Sequence, residues 1–172
     1  EGLGVRGSTA ALLPGSAGKA GATPAAATVQ AATGKETISF AKDIAPVLAQ
    51  NCIGCHGTNN PRGNLSLFTM ARLLKGGDNE TPVLPGKGAD SLIVKKLRGT
   101  ADGARMPMGR GPLDDATIAK VQKWIDEGAT FDGPDSNQPV EEVAAIAKAQ
   151  GATHEQLSTD RIALAEENWR LG

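Results

Sequence analysis

The residue types best suited to chemistry fall in one short run, Cys52-Ile53-Gly54-Cys55-His56. Two cysteines separated by two residues, with a histidine directly after the second, form the attachment signature of a c-type haem. Two thiols at that spacing can form thioethers with the two haem vinyl groups. The next residue on the same helical turn can present an imidazole nitrogen to the iron. A structural disulfide or a thioredoxin-like redox pair would also use Cys-x-x-Cys, but neither needs His56, and the alternating strand and helix pattern of that fold is missing. A structural zinc site takes about four protein ligands. The chain has only these two cysteines, and its other histidine, His154, is far away in sequence, so zinc would have to recruit carboxylates.

A second iron ligand has to come from elsewhere in the chain. The methionines are Met70, Met106 and Met108. Met106, in the run Arg105-Met106-Pro107-Met108-Gly109, is the natural candidate, because a loop bounded by glycines and prolines can aim a thioether without breaking a helix. Met108 is its near rival, and the sequence does not separate the two. Met70 falls within an amphipathic run and reads as a gap-filling core residue. His154 stands at the start of a surface helix and reads as solvated.

The elements that must position these groups read as helices. Phe40, Ile44, Val47 and Leu48 recur at helical spacing, which predicts a helix from about residue 43 into the cysteine run, with Asp43 as cap and Pro46 in the first turn. Turn formers follow at Asn59, Asn60, Pro61 and Gly63. Short helices are expected over 69–75, stopped by Gly76-Gly77, and over 90–98, with Leu92, Ile93 and Leu97 inward. Asp114 or Asp115 caps the next helix, whose stripe of Ile118, Val121, Trp124 and Ile125 ends at Gly128. Trp124 reads as a packing anchor against Phe40 and the haem surround rather than as an electron relay.

These residues carry a resemblance. Phe40-x-x-Asp43-Ile44-x-Pro46-x-Leu48, the cysteine run with Gly57, Leu65-x-Leu67, Gly76-Gly77, Pro85-Gly86, Ser91-Leu92, Arg105-Met106-Pro107 and Trp124-Ile125-x-x-Gly128-Ala129 resemble the planctomycete-type branch of class I cytochromes c over residues 37–132. The resemblance implies an all-α fold, a small haem domain with long loops that carries electrons with His/Met ligation. It maps the thioether cysteines to Cys52 and Cys55, the proximal ligand to His56 and the distal ligand to Met106. It also implies a periplasmic or otherwise exported location.

Composition sets the frame for that domain. The chain has 172 residues, which suits one small domain with extensions rather than two full domains. Aromatic residues make up only 3%, so the protein core is thin and a haem would supply apolar volume. Residues 1–36, rich in Ala, Gly and Pro, bury too little to offset their ordering entropy and read as a linker or as an extension wrapped on a partner. Residues 133–172 form an acidic C-terminal extension with helices expected over 140–150 and 153–171. The second opens on the capping-box pattern Thr153-x-x-Gln156 and has an uneven apolar face of Leu157, Ile162, Leu164 and Trp169. Forty residues do not easily fold alone, so this pair should pack on the haem domain or on a partner.

Charge differs along the chain, net +2 over residues 37–132 and −4 over 133–172. Lys87, Lys95, Lys96, Arg98, Arg105 and Arg110 cluster around the expected methionine side, where they either steer an acidic redox partner or form an ordinary solvated face. A sequence pI near 6.2 and few aromatics argue against nucleic-acid binding. No run approaches the roughly 20 apolar residues of a membrane span. The chain starts at Glu1 without an initiating Met or an apolar signal region, and so reads as processed or as a fragment.

The functional expectation is a single covalently attached haem c that passes single electrons to redox protein partners. No small molecule would bind at the iron, and the chain would serve as a subunit of a respiratory or photosynthetic membrane complex, associated with the membrane through its partners. The alternatives are a free soluble periplasmic shuttle and a haem peroxidase or gas sensor with a labile sixth ligand. The last would need an acid or base on the distal side, where the Met106 region offers only Arg105 and Arg110.

Overall fold

A computed structural model describes residues 28–79, 81–152 and 162, and the architecture over these residues is all-α. A π-helical turn, Phe40–Ile44, leads into α1, Ala45–Asn51, and α2, Ile53–His56. Then come a single 3₁₀ turn at Arg62–Asn64, α3 at Met70–Lys75, α4 at Leu92–Arg98 and α5 at Asp115–Asp126. Residues 140–152 form α6.

Helical structure starts earlier than the apolar spacing suggested. Ser39, not Asp43, is the N-cap, its hydroxyl accepting the Lys42 N–H at 3.0 Å. The Asp43 carboxylate turns back to accept the Ser39 N–H at 3.1 Å and pairs with Lys120 at 3.2 Å. The reason is burial: Phe40 and Ala41 precede Asp43 and are both in the core, so the chain must already be helical there. Pro46 sits in the first turn of α1, where its missing N–H costs nothing.

Phe40 anchors the core. Its ring lies 5.5 Å from that of Trp124 and 5.3 Å from that of Phe131, tilted against both. Trp124 is 1% exposed and donates its indole N–H to the Thr130 carbonyl at 2.8 Å, so its polar edge is satisfied inside the core. The whole predicted stripe of α5, Ile118, Val121, Trp124 and Ile125, is buried, and Asp114 caps the helix through the Thr117 N–H. Met70 is buried in the core beside Leu73 and Leu74 of α3, and Thr69 is that helix's N-cap.

In α4, Val94 and Leu97 are buried, while Leu92 and Ile93 are half-buried and face a cavity. The helix starts at Leu92, two residues later than expected, because Ser91 takes the N-cap position in extended conformation.

Parts of both extensions join this core. Val140, Val143 and Ala147 of α6 are buried in it, and the segment before them is stitched on by Ala71 N–H to the Ser136 carbonyl at 3.0 Å and Val140 N–H to the Phe68 carbonyl at 2.9 Å. Near the other end, Ala31 bridges Phe131 in parallel, through Phe131 N–H to Gln30 and Ala32 N–H to Phe131. Residues 1–27, the second C-terminal helix apart from Ile162, and His154 lie outside the described residues.

Candidate functional site

The site grows from the bend between α1 and α2. Cys52 stands at the junction with φ −120° and ψ −44°, its N–H donating to the Leu48 carbonyl at 2.9 Å and its carbonyl accepting the His56 N–H at 3.0 Å. The backbone path is therefore helical on both sides of Cys52, and this carries Cys52, Cys55 and His56 on successive short turns. Both cysteines are free thiols, Cys52 half-buried and Cys55 exposed. Burial, reinforced by the neighbouring Cys55, pushes the Cys52 thiol up to about 11, so it is held as S–H at neutral pH.

His56 is oriented from behind. Its Nδ1 lies 3.0 Å from the Leu65 carbonyl. A carbonyl oxygen only accepts, so the proton belongs on Nδ1, and Nε2 keeps the lone pair a metal needs. The Leu67 N–H in turn donates to the His56 carbonyl at 2.7 Å, which fixes the segment that supplies this orienting group.

All four residues singled out as cofactor-binding, Cys52, Cys55, His56 and Met106, line one cavity of about 670 Å³. Val47 and Leu48 of α1, Leu65 and Leu67, Leu92, Ile93 and Leu97 of α4, and Val121 of α5 give it apolar walls. The loop carrying Met106, Pro107 and Met108 closes another side, and Arg62, Lys96 and Arg110 add positive charge. Met106 is half-buried and packs against the core, whereas Met108 is 47% exposed with its sulfur 4.0 Å from Arg62 Nη1.

This donor set fits a haem c. Adjacent thiols suit two vinyl groups, an imidazole and a thioether suit the iron, apolar walls suit the macrocycle, and the cations suit its carboxylates. Among the described residues no three His, Cys, Asp or Glu side chains gather where they could hold a metal ion by themselves, so the carboxylates a zinc site would recruit are not assembled there.

Several contributors were not evident from residue types. The orienting group on His56 is a backbone carbonyl, which every residue carries. Gly77, expected only as a helix stop, packs so closely under the Gly63 carbonyl and Leu65 that a Cβ there would stand 2.7 Å from the Leu65 nitrogen. Glu141 of α6 lines the cavity too, although the composition shift sets its segment apart. Of the basic cluster, Lys96 and Arg110 line the cavity, while Arg98 is drawn to the Gln122 side-chain oxygen at 2.9 Å.

Residues 52–108 match the family model described as planctomycete cytochrome C. The chain carries a planctomycete-type cytochrome c domain. The match begins at the first cysteine and ends on Met108, within the wider 37–132 span of the resemblance. No curated protein and no solved structure matches the chain. A cytochrome c domain points to haem-based electron transfer and to a carrier rather than an enzyme.

Proposed function

We propose that this cytochrome domain carries one covalently attached haem c with His56 and Met106 as axial ligands and passes single electrons between protein partners. The observation that carries the reading is that Cys52, Cys55, His56 and Met106 line a single apolar cavity. Cys52 and Cys55 would hold the haem, each thiol adding across one vinyl group so that an S–C bond forms at one carbon, the thiol hydrogen goes to the other, and no oxidant is consumed. His56 offers Nε2 because Leu65 holds its Nδ1 proton. Met106 offers a neutral thioether, which together with histidine raises the potential relative to two histidines. When bound, the haem supplies an iron that alternates between ferrous and ferric states. The apolar walls keep water away and favour the less charged reduced form.

The wider role follows from the extensions and the resemblance. An Ala/Gly/Pro-rich segment of 36 residues that buries little by itself is suited to lying on a partner, and cytochromes of this kind are loaded outside the cytoplasmic membrane. We therefore read the protein as an exported, periplasmic subunit of a respiratory or photosynthetic membrane complex. No described helix is long and apolar enough to cross a membrane. In this reading, attachment runs through partners.

The axial assignment is tested by comparing Met106→Ala with Met108→Ala in the haem-loaded protein. Only Met106→Ala should lose the methionine-to-iron absorption at the red end of the ferric spectrum and bind carbon monoxide rapidly when reduced. If Met108→Ala alone has that effect, the ligand is Met108 and the assignment is wrong.

A further inference from the structure

The loop that carries Met106 has no regular structure of its own and is rich in glycine and proline, yet arginines tie it down on two sides. On one side, Arg105 Nε donates to the Leu97 carbonyl at 2.7 Å and the Met106 N–H donates to the Lys96 carbonyl at 3.0 Å. Both acceptors lie in the last turn of α4, and the Lys96 carbonyl also takes the Gly99 N–H at 3.3 Å. The Arg105 stem lies over Gly99, where a Cβ would come within 3.1 Å of it, so this contact is closely packed. On the other side, Arg110 Nη1 donates to the Gln50 carbonyl at 2.9 Å. Gln50 belongs to the last turn of α1, the helix that leads into Cys52, and it lies 60 residues away in sequence. Arg110 and Gln50 both line the cavity, so this bond spans its edge.

We propose that Arg110 is a positioning residue, a latch that closes the methionine loop across the cavity by fastening it to α1. The proposal rests on the axial role of Met106 given above. The α4 contacts hold the loop on one side, Met108 meets Arg62, and Leu113 packs against the core on the way into α5. The Arg110 bond is the tie to α1, and without it the thioether would leave its place more often. The charge of Arg110 makes this bond stronger than a neutral one, and its acceptor is a carbonyl in the last turn of α1.

The test uses the haem-loaded, reduced protein and measures the rate of carbon monoxide binding, alongside the red absorption feature of the ferric form. Arg110→Ala should bind carbon monoxide roughly threefold to tenfold faster, the population change expected from losing one such hydrogen bond from the closed loop. Its haem content should stay the same while the red feature weakens. Arg110→Lys, which keeps a charged donor, should stay near the parent rate. Carbon monoxide binding by Arg110→Ala at the parent rate, with Met106→Ala fast, would overturn the latch and leave the axial assignment standing. A lysine variant as fast as the alanine variant would also overturn it. A parent protein already as fast as Met106→Ala would overturn the latch and the axial assignment together.

Discussion

A backbone carbonyl decides which nitrogen of His56 is offered to the cavity, and a glycine decides where that carbonyl sits. Leu65 accepts from His56 Nδ1, and Gly77 lies so close beneath Leu65 that an added methyl would meet its nitrogen at 2.7 Å and its Cα at 2.9 Å. Backbone atoms cannot rotate aside as a side chain can. Gly77→Ala should therefore cost about 1–3 kcal/mol of stability, the usual range for overpacking. It should also perturb the haem spectrum, because the Leu65 carbonyl moves with its segment. Denaturant unfolding and absorption spectra of the loaded protein check both effects. Gly151→Ala, at a position where a Cβ meets nothing within 4 Å, should leave the spectrum unchanged. Cys52, Cys55 and His56 stand out in the sequence because their chemistry would reside in side chains at a fixed spacing, and the fold brings them to one cavity. The roles of Leu65 and Gly77 were not, since any residue carries a carbonyl and a glycine after a helix reads first as a stop. Arg110 was legible only as one charge among six, because its partner is a main-chain atom of a helix that folding alone brings near.

At the scale of elements, apolar period was the reliable guide and termini were not. α5 follows its stripe, and Asp114 caps it as one of the two expected candidates. The first helical turn was misplaced because its cap, Ser39, is answered by Asp43 four residues on rather than three, the spacing that a π turn produces. Carboxylates also close the joints between elements. Glu127, just past α5, accepts from the Thr37 hydroxyl at 2.5 Å and from the Thr37 and Ile38 N–H groups at 2.9 and 3.1 Å. These bonds, the Thr37 hydroxyl foremost, hold its carboxyl below the usual range. Glu36 is lowered to about 2, chiefly by the Thr33 N–H, and Asp114 is lowered by the Thr117 hydroxyl and N–H. Each group binds protons more weakly folded than unfolded. The stability it contributes is thus present above the ordinary carboxylate pKa of about 4 and is lost as pH falls through the lowered folded value. Thermal melts should show the midpoint falling as the pH is lowered from about 5 towards 2. Glu127→Gln should flatten that dependence, and an unchanged slope would show that the Thr37 joint is not coupled to folding.

For the whole molecule, the composition shift after residue 132 marks a change of charge but not a gap in the packing. Val140, Val143 and Ala147 are buried with the haem-domain residues, and Phe131 bridges back to Ala31. The physical reason lies in a chain with only 3% aromatic residues, whose small core gains apolar cover from the extension that follows it. Sequence patterning shows that residues 140–150 form a helix, but a short stripe of valine and alanine carries no sign of which surface it covers. That surface is α3 and its approach, where the Phe68 carbonyl receives the Val140 N–H. Taken together, the packed helices, the kinked cysteine turn and the methionine loop line the cavity in which we propose that one haem is covalently held. The most direct test is the intact mass of the purified protein under denaturing conditions, with a pyridine haemochrome spectrum on the same sample. The account predicts one haem per chain, retained after denaturation, with a c-type spectrum showing both vinyl groups saturated. A chain whose mass is that of the polypeptide alone, or a haem that is released on denaturation, would contradict it.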